Sequence, residues 1–321
     1  MDSTAASPTW DCIVVGAGPA GLNAALVLGR ARRSVLVLDS AQPRNYATHE
    51  MHGVLGHDGL DPADLRARGR VELARYGVEV ATSTVHGADM ISGGVRLRSA
   101  RGAEIARTVL LATGMLDEVP DIPGFADVWG TSAHTCPYCD GFEHRDERLA
   151  VLAAGERGEH LAIVLRQWSD DVVLLSNGPH NLAADQLARV HALGIPIIET
   201  PIVALDSDET GRLRHVGLDD GQTLDRDALF FYVGWQLRTE LARTLGCERR
   251  PDGSVAVDAS QATTVDGVYA AGNCADARAL VPAAAGSGVT AAVTINARLS
   301  FEDADRAVAD AKTRARASEV R

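Results

Sequence analysis

The chain is expected to be an α/β protein made of two Rossmann-like dinucleotide-binding units. An apolar strand, a glycine-rich turn, a helix and a second strand follow one another from Cys12, and the same order returns from Leu149. Each of these βαβ units is followed by short alternating strands that end in an apolar strand closed by glycine, at Gly114 and at Gly234. A plan repeated in this way implies an internal duplication of architecture.

The elements follow in order. Cys12 to Val15 is an apolar strand, Gly16 to Gly21 the turn, an Ala/Leu-rich helix extends to about Arg33, and Val35 to Leu38 is a second strand ending at Asp39. Residues 78–114 alternate apolar and polar between glycine turns and read as short antiparallel strands. In the second unit Leu149 to Ala153 is a strand, Glu159 to Trp168 a helix, and Val172 to Leu175 a strand. A helix (Leu182 to Leu193), a strand (Ile195 to Ile198) and hairpin-like strands over 202–229 lead to Phe230–Gly234. The strand Gly267 to Gly272 precedes a small-residue helix from about Pro282 to Arg298, and the last twenty residues read as an exposed helix.

A length of 321 residues suits two domains, and 46% hydrophobic with 23% charged residues is the balance of a globular protein. The formal charge of −12 argues against nucleic acid or an anionic lipid surface as partner. No apolar run approaches the ~18 residues of a membrane span. Met1 to Asp11 lacks the basic and then apolar pattern of a secretory leader, so a cytoplasmic location is expected.

The first glycine turn carries a physical rationale at each position. Gly16 permits the tight turn, Gly18 lets backbone N–H groups approach a pyrophosphate, and Gly21, after Ala20, lets helix and strand pack closely. The helix N-terminus favours phosphate, and Asp39 can accept hydrogen bonds from a ribose. A bound dinucleotide is the expectation.

Of the five cysteines, Cys12, Cys247 and Cys274 read as small buried hydrophobes. Cys136 and Cys139 form a C-x-x-C, which points to redox or metal chemistry. Zinc requires four ligands; His134 and His144 flank the pair and make a Cys2His2 site conceivable, but a dithiol/disulfide pair is the stronger reading and no metal is expected. The stretch from Arg44 and Asn45 through His49, His52 and His57 reads as the surround of a cofactor and substrate. Tyr138 and Trp235 suit either an apolar pocket or the core.

Thr113-Gly114 and Gly272-Asn273, with the first glycine turn, resemble the three sequence marks of FAD-binding domains in two-dinucleotide-domain flavoprotein reductases. Cys136-Pro137-Tyr138-Cys139-Asp140-Gly141 makes the likeness specific: from about residue 10 to residue 300 the chain resembles the low-molecular-weight thioredoxin reductases. The resemblance implies a discontinuous FAD domain (1–117 and 240–321) around an NAD(P)H-type domain (118–239) that carries the dithiol. It implies that Cys139 exchanges electrons with the flavin, that Cys136 meets the external substrate, and that Asp140 is the acid/base for the thiols. Asn273 stands where that family usually has Asp; it keeps one acceptor and adds donors. A helix beginning near Ala283 would direct its N-terminal dipole at the flavin. Family members are commonly homodimers.

The second glycine turn departs from that pattern. It reads Ala153-Ala154-Gly155-Glu156-Arg157-Gly158-Glu159, with the first glycine lost and two acids where a pyrophosphate would lie. Ser176 to His180 lacks the His and Arg cluster that holds a 2′-phosphate in the family. Productive NAD(P)H binding is therefore not expected. With that defect the chain resembles the FAD-dependent dithiol oxidases of natural-product biosynthesis, of the gliotoxin and holomycin type. This likeness implies that a small-molecule dithiol is closed to an intramolecular disulfide through Cys136 and Cys139, with O2 as final acceptor and H2O2 as product. Asp140 and His144 are the candidates for moving the thiol protons. The alternative is a thioredoxin-disulfide reductase driven by NADPH or ferredoxin.

Overall fold

The protein is described by a computed structural model covering residues 10–319; the start of the stretch inspected for a leader, residues 1–9, lies outside it. The chain divides into two compact units, one of Met1–Arg44, Ala63–Leu116 and Gln236–Arg321, the other of Asn45–Pro62 and Asp117–Trp235. The expected boundaries stood at 117/118 and 239/240. Residues 45–62, expected with the first unit, group with the second. The strands Met115–Asp117 and Trp235–Leu237, where the chain passes between units, form a two-stranded sheet.

The first unit is built on a seven-stranded sheet. Trp10–Val15 lies between Val35–Asp39 and Gly102–Leu111, parallel to both. Residues 78–114 were expected to be antiparallel throughout. Instead Glu79–Thr82 runs parallel to Val35–Asp39, and only Val85–Ile91, Gly94–Ser99 and Gly102–Leu111 form an antiparallel meander. The crossover that permits the parallel strand is the helix Pro62–Ala74, which the sequence hid because charged residues are spread around it and leave almost no apolar face; Leu73 is its buried anchor. Gly102–Leu111 changes partners along its length. Its first half pairs with Gly94–Ser99, and its last three residues pair with Val268–Ala270.

Side chains alternate across this sheet, as a period of two requires. Cys12, Val14, Val35, Val37 and Leu110 pack with Ala24, Leu28, Ala291 and Ile295, whereas Ile13, Val15, Leu36, Leu38 and Leu111 pack with Leu97, Leu245 and Val255 on the other face. The helices Pro19–Arg30 and Val281–Glu319 approach closely: a Cβ at Gly288 would lie 2.0 Å from the Ala20 carbonyl oxygen. The second of these helices is 39 residues long, so the expected helix near Pro282–Arg298 and the charged tail are one element.

The second unit contains a parallel sheet in the order Ile197–Ile198, Val172–Leu175, Leu149–Leu152, Ala228–Phe231, Ala133–His134. A three-stranded antiparallel sheet (Ile202–Ser207, Leu213–Leu218, Thr223–Asp225) accompanies it. The helix expected from Glu159 begins at Gly155, inside the second glycine turn, directly after the extended Ala154.

Candidate active site

Three distant segments of the first unit converge on one glycine. A Cβ at Gly272 would meet the Ala20 Cβ at 2.9 Å and the Ala284 Cβ at 3.8 Å, and the Gly272 N–H donates to Ser287 Oγ. The first turns of two long helices therefore meet beside the Gly272–Asn273 corner. Gly16 has φ +107° and no room for a side chain, since a Cβ would stand 2.3 Å from the Ala112 carbonyl oxygen. At Gly21 a Cβ would lie 1.9 Å from the Gly16 carbonyl oxygen, so helix and strand close on each other there. Gly18 is different: a Cβ there would touch nothing within 4 Å. It caps the helix with no side-chain hydrogen bond, so no capping side chain competes for the N–H groups of the first turn.

This cradle fits the pyrophosphate of a dinucleotide. Asp39, at the end of the next strand, accepts from the Ala17 N–H through Oδ1 and pairs with Arg70 through Oδ2. A carboxylate oxygen has a second lone pair for a ribose hydroxyl. Arg70 lies on the helix that the sequence concealed. Thr113 Oγ1 donates to the Arg238 carbonyl, and Gly114 borders open space. Asn273 spends its amide nitrogen on the carbonyls of Asp276, Ala277 and Ala279, so its acceptor Oδ1, not its donor, is what remains for a cofactor hydroxyl. Ala283 is exposed in the first turn of the long helix. Arg44 and Asn45 lie in the turn where the first unit gives way to the second.

In the second unit Cys136 and Cys139 are joined as a disulfide, with Cα atoms 5.3 Å apart. Cys136 caps the short helix Pro137–Asp140, and its carbonyl accepts from the N–H groups of Cys139 and Asp140. Gly141 must be glycine: a Cβ would stand 2.4 Å from the Pro137 carbonyl oxygen and 2.9 Å from the Trp168 ring. That same indole meets Tyr138 edge-on at 5.7 Å. Tyr138 and Phe142 are 65% and 62% exposed, with the Arg145 guanidinium over the Phe142 ring at 4.3 Å, so the disulfide turn carries two exposed aromatic side chains. The other three cysteines are buried, and desolvation raises all three thiols, Cys12 to about 12, which makes them poor nucleophiles.

Asp140 is largely buried beside the disulfide. Burial, with the nearby Glu143 carboxylate, pushes its carboxyl up to about 7, against the opposing influence of His52. His52 belongs to the histidine-bearing segment, where its ring also lies 3.5 Å from Glu143 and from Asp58. His144 does not touch Asp140. Between them stands His134, whose Nδ1 lies 3.4 Å from Asp140 Oδ1 and whose Nε2 lies 2.9 Å from His144 Nε2. His144 Nδ1 reaches Glu147 Oε2 at 2.9 Å, and Glu147 pairs with Arg212. The two histidines that flank the cysteines thus face each other. Sequence reading did not place His134 between Asp140 and His144, nor Glu147 against His144, although Glu147 lies three residues after His144.

The second glycine turn is occupied by its own residues. The Gly155 N–H, which would face a phosphate, donates to the His180 carbonyl at 2.8 Å. The Arg157 guanidinium lies over Tyr232 at 4.9 Å and over Trp235 at 5.4 Å. Glu159 was expected to add negative charge at the turn. It is buried and paired with Arg189 of the neighbouring helix, so Glu156 alone remains exposed there. In exchange the fold brings Glu199 to the His180 N–H, placing an acid in the loop where a 2′-phosphate would need cations.

A dinucleotide cradle in one unit and a two-residue-spaced disulfide in the other define an FAD-binding oxidoreductase of the dithiol–disulfide class. A family model described as "Pyridine nucleotide-disulphide oxidoreductase" matches residues 10–288. The chain belongs to that family and is thioredoxin-reductase-like within it. It is 33% identical over 313 residues to "Thioredoxin reductase aclD" of Aspergillus oryzae, covering 93% of this chain and 99% of that protein. It is 34% identical over 279 residues to "Thioredoxin reductase tcpT" of Claviceps purpurea, covering 82% and 86%. Among solved structures, that of HlmI superposes with a TM-score of 0.90 at 41% identity, covering 94% of this chain and 96% of HlmI. Among the described residues no helix is long and apolar enough to cross a membrane.

Proposed function

We propose that the protein is an FAD-dependent dithiol oxidase that closes an intramolecular disulfide in a small-molecule dithiol of natural-product biosynthesis, acting as a cytoplasmic homodimer. The observation that carries this reading is the state of the second glycine turn. Its leading N–H is spent on His180, its arginine is stacked on two aromatic rings, and Glu199 occupies the loop that would receive a 2′-phosphate. Reducing equivalents are therefore drawn from thiols and not from a nicotinamide. The likeness to HlmI at 41% identity is in keeping with this reading.

In the proposed cycle Asp140 takes the proton of one substrate thiol. The thiolate attacks Cys136 Sγ, the Cys136–Cys139 bond breaks, and Cys139 leaves as thiolate. The second substrate thiolate attacks the sulfur joined to Cys136, releasing the substrate as a cyclic disulfide and Cys136 as thiol or thiolate. Tyr138 and Phe142 offer apolar faces on which a small substrate can rest. FAD held there would supply the acceptor for the enzyme's two electrons, with O2 as final acceptor, so that dithiol and O2 become disulfide and H2O2. Gly16, Gly18, Ala20, Gly21, Asp39, Thr113, Gly114, Gly272, Asn273 and Ala283 would hold that cofactor, with Arg44 and Asn45 at its margin.

The test is anaerobic stopped-flow on the FAD-loaded protein, with NADPH in one arm and dithiothreitol in the other, followed by peroxide measurement in air. Bleaching by the dithiol, none by NADPH, and one peroxide per dithiol are expected. Rapid bleaching by NADPH would instead assign a thioredoxin-disulfide reductase, the activity named for the Aspergillus and Claviceps relatives.

A further inference from the structure

The hydrogen-bond directions in the line behind the disulfide follow from its outer end. Glu147 accepts from the Arg212 guanidinium, and we assign His144 the tautomer in which Nδ1 donates to Glu147 Oε2 across 2.9 Å. His144 Nε2 is then bare and accepts from His134 Nε2–H across 2.9 Å. That leaves His134 Nδ1 as a lone pair facing Asp140 Oδ1 at 3.4 Å. Each tautomer is set by the next residue outward, and every hydrogen points away from the disulfide.

We propose that His134, His144 and Glu147 form a proton line that carries protons from Asp140, beside the Cys136–Cys139 disulfide, to the protein surface. The proposal rests on the reading of Asp140 as the acid–base group of the dithiol. Asp140 Oδ1–H breaks as His134 Nδ1–H forms; His134 Nε2–H breaks as His144 Nε2–H forms; His144 Nδ1–H breaks as Glu147 Oε2–H forms, and water takes the proton from there. A proton returning along the same line resets both tautomers.

Placement supports the direction of travel. His134 and His144 are buried, and the Phe230 ring lies against both, at 5.5 and 6.2 Å, so water does not compete for their nitrogens. Burial and the neighbouring His144 push His134 down to about 3, against a backbone hydrogen bond with Thr131 that favours the charged ring, so it passes a proton on and does not keep it. Asp140 is faced by Glu143 and His52 as well, and these set its own affinity without joining the line. Glu147 is part-exposed and so can exchange with solvent.

The line is tested by the rate at which dithiothreitol opens the Cys136–Cys139 disulfide in the FAD-loaded protein, followed by alkylation quench and mass measurement. This step does not depend on what the flavin does next, so failure of the oxidase reading and failure of the line are distinct results. His144→Gln and the part-exposed Glu147→Gln are expected to slow opening roughly tenfold near neutral pH, below the 10²–10⁴-fold of direct acid–base catalysis. Both should show a larger solvent deuterium effect than the parent and recover speed in added imidazole, with FAD retained. Unchanged rates in both variants would overturn the line. So would slower rates that neither imidazole nor deuterium oxide affects, since a packing role alone would give that result.

Discussion

His134 and His144 stand with their Nε2 atoms 2.9 Å apart, both rings buried and both against Phe230. Two imidazoles at that distance share one hydrogen, so at most one of the facing nitrogens is protonated while both are neutral. The cysteines are closed on each other as a disulfide. The inner member of the pair, His134, has its Nδ1 3.4 Å from Asp140 Oδ1.

Cys136→Ser and Cys139→Ser are each expected to abolish dithiol-dependent oxygen uptake while leaving FAD bound, because the cradle and the disulfide belong to separate compact units. An oxygen electrode and the flavin absorbance band check this. Loss of the yellow colour would instead mark the cysteines as folding residues.

Asp140 sets a pH dependence whose sign can be worked out. Its carboxyl sits at about 7 in the folded protein against an ordinary 3.8. The folded state therefore binds this proton more tightly, and its contribution to stability is lost as pH rises through that window. Between about pH 5 and about pH 8, Asp140→Asn should lose less stability than the parent, by on the order of 2 kcal/mol. Thermal melts of the FAD-loaded proteins at both ends measure the difference, and parallel pH profiles would refute it.

The same carboxyl should gate the disulfide. Opening by dithiothreitol is expected to accelerate as Asp140 ionises near pH 7. Asp140→Asn should lose that inflection and keep only the rise due to the reagent's own thiol. Alkylation-quench rates across the pH range would show whether it does.

Gly18 and Gly21 should fail differently. A Cβ at Gly21 would overlap the Gly16 carbonyl, whereas one at Gly18 meets no protein atom. Gly21→Ala is expected to cost about 2–3 kcal/mol or more in the apoprotein. Gly18→Ala should leave apoprotein stability within about 1 kcal/mol but weaken FAD retention, since the added methyl enters the space where the pyrophosphate would lie. Urea melts of the apoproteins and FAD titrations separate the two effects.

Gly141→Ala would push a methyl into the Pro137 carbonyl and the Trp168 ring. The turn that holds Cys136 and Cys139 must then shift. The expected result is slower thiol exchange with FAD content intact, read by the dithiothreitol assay and the flavin band.

The two-unit α/β plan, the first glycine turn with Asp39, and the Cys136–Cys139 pair with Asp140 were legible in the residues, because each depends on contacts between chain neighbours or on strict period and spacing. The departure of the second glycine turn from the dinucleotide-binding pattern was legible for the same reason. Tertiary structure alone decided the rest. The helix Pro62–Ala74 shows almost no apolar face, so neither its existence nor the parallel strand it permits could be read from pattern. Glu159 looked like a repulsive charge until folding placed it against Arg189, and Glu199 entered the cofactor loop only through the pairing of two strands. Above all, the order Asp140, His134, His144, Glu147 is not the chain order. A hydrogen bond is set by distance in space, and the strand Ala133–His134, held beside Ala228–Phe231, is what carries His134 into the gap between Asp140 and His144.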